Sequence, residues 1–209
     1  MPESIRLFVA VLVSEATFST GHEEAEGSTP VDVTLSSVLD ELREIGKPVK
    51  PVAAHNLHIT LKFLGDTDPE IVPEIEAIVN QAASSETAFQ WTFRGVGAFP
   101  SPKRPSVVWA GIENAEPCIR MATQLNESLE TLGFSAEKRE FHPHLTLARI
   151  KGRPPRELFD LLEQHENTFF GTGSVNAIEL IQSELTPEGP VYTMLLKAPL
   201  APCPRNAGT

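Results

Sequence analysis

His58-Ile59-Thr60-Leu61 and His144-Leu145-Thr146-Leu147 repeat one pattern, an imidazole and a hydroxyl separated by a single apolar residue. Each copy lies in a short run of β-forming residues, and in a strand alternate side chains share a face. His and Thr of each copy therefore point the same way, roughly 7 Å apart along the strand. Ile59, Leu61 and Phe63, like Leu145 and Leu147, are expected to face a core. Two imidazoles around one group can divide acid–base work, one giving a proton while the other takes one. Their ordinary pKa of about 6.5 puts both protonation states within reach near neutral pH. Where two such strands meet about an approximate twofold axis, the threonine hydroxyls can donate to anionic oxygens while the imidazoles flank the group. That geometry suits in-line displacement at phosphorus. A single His-x-Thr fits any half-buried strand, whereas two matched copies point to function.

A metal site is the competing use of these histidines. His142 and His144 are spaced to share a strand face, and His55 lies three residues before His58. Pro143 and the lack of Asp, Glu or Cys at suitable spacing argue against a zinc centre, so no metal is expected. His22 and His165 are read as surface residues. Cys118 and Cys203 are the only cysteines and are read as unpaired thiols.

The elements that position the pairs follow from periodicity. Ile5 to Val13 reads as a buried strand, and Ser14 to Pro30 as an exposed acidic loop. Val31 to Ile45 has the three- and four-residue apolar steps of an amphipathic helix, stopped by Gly46 and Pro48. The first His-Thr strand covers about 57–64 and stops at Gly65-Asp66. Asp68 caps a second helix from Pro69. Strands are expected at 89–96 and 106–112, joined by a stiff Pro-rich loop carrying Lys103 and Arg104. A helix over 116–132 precedes the second His-Thr strand at 145–150. A short helix at 154–165 and strands at 174–183 and 191–197 complete the set. The expected fold class is α+β, with two similar lobes, each a mainly antiparallel sheet with flanking helices, facing across a central groove. Residues 1–198 form this bilobal domain, with 14–30 as an insertion and 199–209 as a loose tail.

Charge narrows the ligand. The chain of 209 residues carries a net charge of −11, which disfavours broad grip on a nucleic-acid backbone. Between Ser14 and Glu44 eight acids face one base, whereas between Lys138 and Arg156 six bases face one acid. The second His-Thr pair sits in that basic stretch, which suits a small anion or a nucleic-acid end, although Arg153 and Arg156 serve equally well as solvated surface charges. No segment reads as a membrane span or a secretory leader, so a cytoplasmic protein is expected.

The sequences His58-Ile59-Thr60-Leu61-Lys62-Phe63-Leu64-Gly65 and Phe141-His142-Pro143-His144-Leu145-Thr146-Leu147-Ala148-Arg149 resemble the two HxTx signatures of the two-histidine phosphoesterases. More narrowly they resemble the bacterial and archaeal RNA 2′,3′-cyclic phosphodiesterases, also called 2′-5′ RNA ligases. The similarity includes Arg6 to Ala10, Gly97 to Pro100 with Arg104-Pro105, and Ser183 to Tyr192, so it runs nearly the whole chain in order. The resemblance implies a bilobal α+β fold with the site in the central groove and no metal requirement; no cofactor and a monomer are expected. It implies hydrolysis of a 2′,3′-cyclic phosphate on RNA ends or nucleotides to a 2′-phosphomonoester, with reversible 2′-5′ joining as a further activity. It makes His58 the proton donor and His144 the proton acceptor, and places Thr60, Thr146 and Arg149 on the phosphate. Arg149 poses a difficulty, because five residues past His144 a regular strand turns it to the opposite face. Phe8 reads first as a core residue and second as a candidate base-stacking surface. The acidic 14–30 segment departs from the family pattern. Two other readings are another small cyclic phosphate, such as an ADP-ribose cyclic phosphate, and a non-catalytic RNA-end-binding module.

Overall fold

In the computed structural model, residues 4–13, 18–19, 35–137, 139–187 and 189–202 are described. Most of the 14–30 acidic insertion, His22, Cys203 and most of the expected tail fall outside them.

Two antiparallel sheets carry the fold. The first contains β1 (Ile5–Leu12), β4 (His58–Thr67), β9 (Ala177–Thr186) and β10 (Gly189–Pro199), in the order β10-β9-β1-β4. The second contains β2 (Phe18–Ser19), β3 (Val49–Pro51), β5 (Phe89–Phe99), β6 (Val107–Glu113), β7 (His144–Ile150) and β8 (Phe169–Val175), in the order β2-β8-β5-β6-β7-β3. Helices α2 (Val72–Ser84) and α3 (Glu116–Glu130) back the first sheet. Helices α1 (Leu35–Ile45) and α4 (Arg156–Gln164) back the second. Each is amphipathic, and Leu39 and Leu42 of α1, Val79 of α2, Leu125 of α3 and Leu158 of α4 join one continuous core with both sheets.

The lobes are not successive halves of the chain. The helix before each motif strand packs on the other lobe: α1 precedes β4 but rests against β3 and β7, while α3 precedes β7 but rests against β4. This exchange brings β4 and β7 together at the seam, in contact but in different sheets.

Several expectations change. The apolar stretch before Asn176 is a separate strand, β8, and Val49–Pro51 is a further strand, on the edge of the second sheet. Strand β4 continues through Gly65, whose φ of +75° lets the chain bend without stopping. The tail does not loosen at Pro199. Pro199 pairs with Ala177, Leu200 is buried, and the Ala201 amide donates to the Glu86 carbonyl at 2.8 Å. His165 is no surface residue either. It is 2% exposed, and its ring bridges Thr168 and Glu41 of α1, with Nε2 3.1 Å from the carboxylate. Cys118 is a buried free thiol, pushed by burial up to about 12, and so behaves as a core residue.

Candidate active site

Each motif histidine is fixed the same way. The Nδ1–H of His58 donates to the Asn56 carbonyl at 2.7 Å, and that of His144 donates to the His142 carbonyl at 2.7 Å. A carbonyl only accepts, so Nδ1 carries the hydrogen and Nε2 is left to give or take a proton. Asn56 is itself held, its side-chain amide donating to the Pro190 carbonyl at 3.1 Å. The sequence contains this device as a residue two positions before each histidine, but only the folded backbone reveals it.

Both strands also bulge at the same offset. On β4, Ala10 pairs with Thr60 but Val9 pairs with Lys62, so Leu61 is the extra residue. On β7, Trp109 pairs with Thr146 but Val108 pairs with Ala148, so Leu147 is the extra residue. A one-residue bulge flips every later side chain to the other face. Arg149 therefore returns to the side of His144 and Thr146, which removes the parity difficulty. The same flip corrects the expectation for Phe63, which leaves the core face and stands 45% exposed beside Arg6, whose guanidinium lies 4.8 Å from its ring centroid. Lys62 turns inward instead, buried with Nζ donating to the Asn126 side-chain oxygen at 2.7 Å and the Ser135 carbonyl at 2.8 Å.

The two strands converge on one volume. His58 is acted on by the charges of both Arg149 and His144, and Tyr192 by those of Arg149 and Arg6. Thr60 and Thr146 are half-buried on the same faces as their histidines. The ring of Phe8, 4.9 Å from His58 and 5.1 Å from Tyr192, is only 4% exposed. It thus supports the His58 imidazole from below as a core residue, the first of its two readings, and leaves no free face for the stacking role. Tyr192, the only tyrosine, meets His58 edge-on at 5.3 Å. Phe99 plays the matching part at 5.0 Å from His144 and packs in turn on Trp109. Gly97 leaves room for that indole, since a Cβ there would lie 2.3 Å from Trp109. Tyr192 and Phe99 lie in the Ser183–Tyr192 and Gly97–Pro100 segments of the resemblance, but as single aromatics neither is marked out by spacing as a site residue.

Burial is the main force lowering the His58 pKa; the Asn56 bond opposes it, and the Arg149 and His144 charges add to it. A histidine titration followed by NMR should place His58 below the ordinary 6.5, and Arg149→Gln should raise it. A His58 value above 6.5 in the unsubstituted protein would contradict this environment. Burial likewise raises the Tyr192 pKa, so its phenol stays a hydrogen-bond donor.

Glu179 lies on the same face of the first sheet, paired with Ala10 and 5% exposed, and accepts from the Leu12 amide at 3.2 Å. Burial pushes its carboxyl from 4.5 up to about 7, against the opposing pull of the Leu12 bond and Lys197. The folded state then holds a proton that the unfolded chain releases, so stability falls as pH rises from about 4.5 to 7. Glu179→Gln should gain on the unsubstituted protein across that window, by at most roughly 3 kcal/mol at about 1.4 kcal/mol per pKa unit. Urea unfolding at pH 5 and pH 8 measures this; an equal difference at both pH values would refute it.

Among the described residues, no group of three or more His, Cys, Asp or Glu side chains is placed to hold a metal ion. Nor is any helix there long and apolar enough to cross a membrane.

Comparison with known proteins gives consistent matches. A family model described as the 2′-5′ RNA ligase superfamily matches residues 30–187. An RNA 2′,3′-cyclic phosphodiesterase of Aeropyrum pernix is 40% identical over 169 residues, covering 80% of this chain and 95% of that protein. One from Archaeoglobus fulgidus is 36% identical, covering 90% and 96%. A crystal structure of a Thermus thermophilus protein superposes with a TM-score of 0.74 at 33% identity, covering 94% of this chain and 98% of the other.

Proposed function

The chain belongs to the 2′-5′ RNA ligase superfamily, and from that membership and its paired histidines we propose that it is an RNA 2′,3′-cyclic phosphodiesterase. The observation that carries the proposal is the matched pair of imidazoles, each held through Nδ1 by the carbonyl two residues back. Each ring in this reading keeps Nε2 for an anion bound beside Arg149.

In this reading the cyclic phosphate lies between the rings, with Thr60, Thr146 and Arg149 on its non-bridging oxygens. His144 accepts a proton from water through Nε2 as the water oxygen attacks phosphorus. The P–O3′ bond breaks on the opposite side, and His58 delivers the Nε2 proton to the departing 3′ oxygen. The product is a 2′-phosphomonoester with a free 3′ hydroxyl. His58 must be imidazolium for this step, yet burial favours its neutral form. A bound phosphodiester anion offsets that bias, since an opposite charge nearby stabilises the protonated ring. Tyr192, held protonated beside His58, supplies a further donor. With an RNA 5′ hydroxyl attacking phosphorus in place of water, the same acid–base pair would break the P–O3′ bond and join the ends through a 2′-5′ linkage.

The test is hydrolysis of a 2′,3′-cyclic nucleotide with a chelator present, with the product's phosphate position read by NMR. A 2′-monoester is expected. A 3′-monoester would reverse which bond breaks and remove His58 from the donor side, and loss of turnover on chelation would reject a metal-independent mechanism.

A further inference from the structure

The connections after β5 and β7 carry basic side chains that the phosphate site does not use. Lys103, Arg104, Arg153 and Arg156 line one depression of about 510 Å³, together with Pro105, Pro154 and Phe159. All four cations are exposed, and Phe159 shows 37% of its surface. Among the described residues only Arg156 has a carboxylate within ion-pair reach, Asp160 at 3.9 Å. The adjoining depression, which runs past Phe159 to Gly97 and Trp109, is lined by Glu163, Glu166 and Arg94.

The position of this patch follows from the sheet. Val107 pairs with Phe99 on one side and Arg149 on the other, and the Ile150 amide donates to the Ser106 carbonyl at 2.9 Å. Both basic connections therefore leave the sheet at the Arg149 end of β7. Phe99 and Trp109 link that end to His144 without a break. On a chain of net charge −11, a group of largely unpaired cations draws a polyanion to one place and repels it elsewhere. Cations around an exposed aromatic ring match a nucleotide, with phosphate on the charges and a base against the ring.

We infer that this depression is a second subsite, which binds backbone phosphates of the nucleotides preceding a cyclic-phosphate terminus. It rests on the phosphodiesterase reading for its substrate. It accounts for how an acidic protein holds an RNA end without gripping a long duplex.

The experiment compares Lys103→Ala/Arg153→Ala with the unsubstituted protein on two substrates. These are a 2′,3′-cyclic mononucleotide and a short oligoribonucleotide ending in the same cyclic phosphate. Mononucleotide hydrolysis should be unchanged, whereas kcat/KM for the oligonucleotide should fall about 10-fold. Its salt dependence should become shallower by about 1.4 in log–log slope, about 0.7 for each phosphate contact removed from a single strand. Equal effects on both substrates, or none on the oligonucleotide, would overturn the subsite. Binding of a labelled 3′-phosphorylated oligoribonucleotide, followed by anisotropy against salt, judges the subsite apart from turnover. If the unsubstituted protein hydrolyses neither substrate, the phosphodiesterase reading falls, while a salt slope unaltered by the double substitution removes the subsite itself.

Discussion

Alanine at His144 is expected to lower kcat/KM on a 2′,3′-cyclic nucleotide about 10²- to 10⁴-fold, the range for loss of a general base. Alanine at His58 should cost a similar factor by removing the general acid. The two losses differ in kind, and a change of leaving group separates them. A phosphodiester with a p-nitrophenolate leaving group needs little protonation as the bond breaks. On that substrate His58→Ala should recover most of its lost rate, while His144→Ala should remain impaired because water still needs a base. Equal impairment of both variants on both substrates would deny the division of labour. Neither loss should come from unfolding, since each imidazole is only half-buried and stands on a strand whose apolar neighbours, Ile59 and Leu145, stay in the core.

Arg149 should give the next largest effect. A hydrogen bond to a charged group contributes about 1.5–3 kcal/mol, so Arg149→Ala should lower kcat/KM about 10- to 150-fold. Arg149→Lys should restore only part of this, because an ammonium keeps the charge but lacks the planar fork that can hold two phosphate oxygens at once. The prediction depends on the bulge at Leu147, which turns Arg149 toward the phosphate. Steady-state kinetics on the three proteins, with inorganic phosphate as a competitive inhibitor, measures it. Unchanged phosphate inhibition in Arg149→Ala would place the guanidinium outside the site. The expected rise in the His58 pKa on neutral substitution of Arg149 gives an independent check on the same proximity.

How far such a site can be read from sequence depends on the kind of signal. The two His-Thr pairs, their strands and the four helices are legible because periodicity and turn residues act locally. The approximate symmetry is legible too, since it is written as a repeated tetrapeptide. Local parity fails at the bulges. Phe63 counts as a core residue on a regular strand, and Arg149 as a misfit, until Leu61 and Leu147 are each seen to be skipped by their partner strands. Register is a property of two strands, so one strand's sequence does not contain it. Strand β8 merges with β9 in the sequence because a single residue, Asn176, separates them. The lobe exchange of α1 and α3 is equally invisible, since an apolar stripe says that a helix packs but not on which sheet. His165 shows the same limit: its partner Glu41 lies 124 residues away. The depth of Phe8 beneath His58 and Tyr192 is set by three elements together, so its strand alone does not show it.

The pH dependence of kcat/KM tests most directly whether two imidazoles share one phosphorus. The unsubstituted protein should give a bell, with one limb set by the base and the other by the acid. His144→Ala should keep only the limb on which activity falls as pH rises, because only the acid still titrates. His58→Ala should keep only the limb on which activity falls as pH drops. Loss of the same limb in both variants, or a bell that survives in either, would contradict the mechanism.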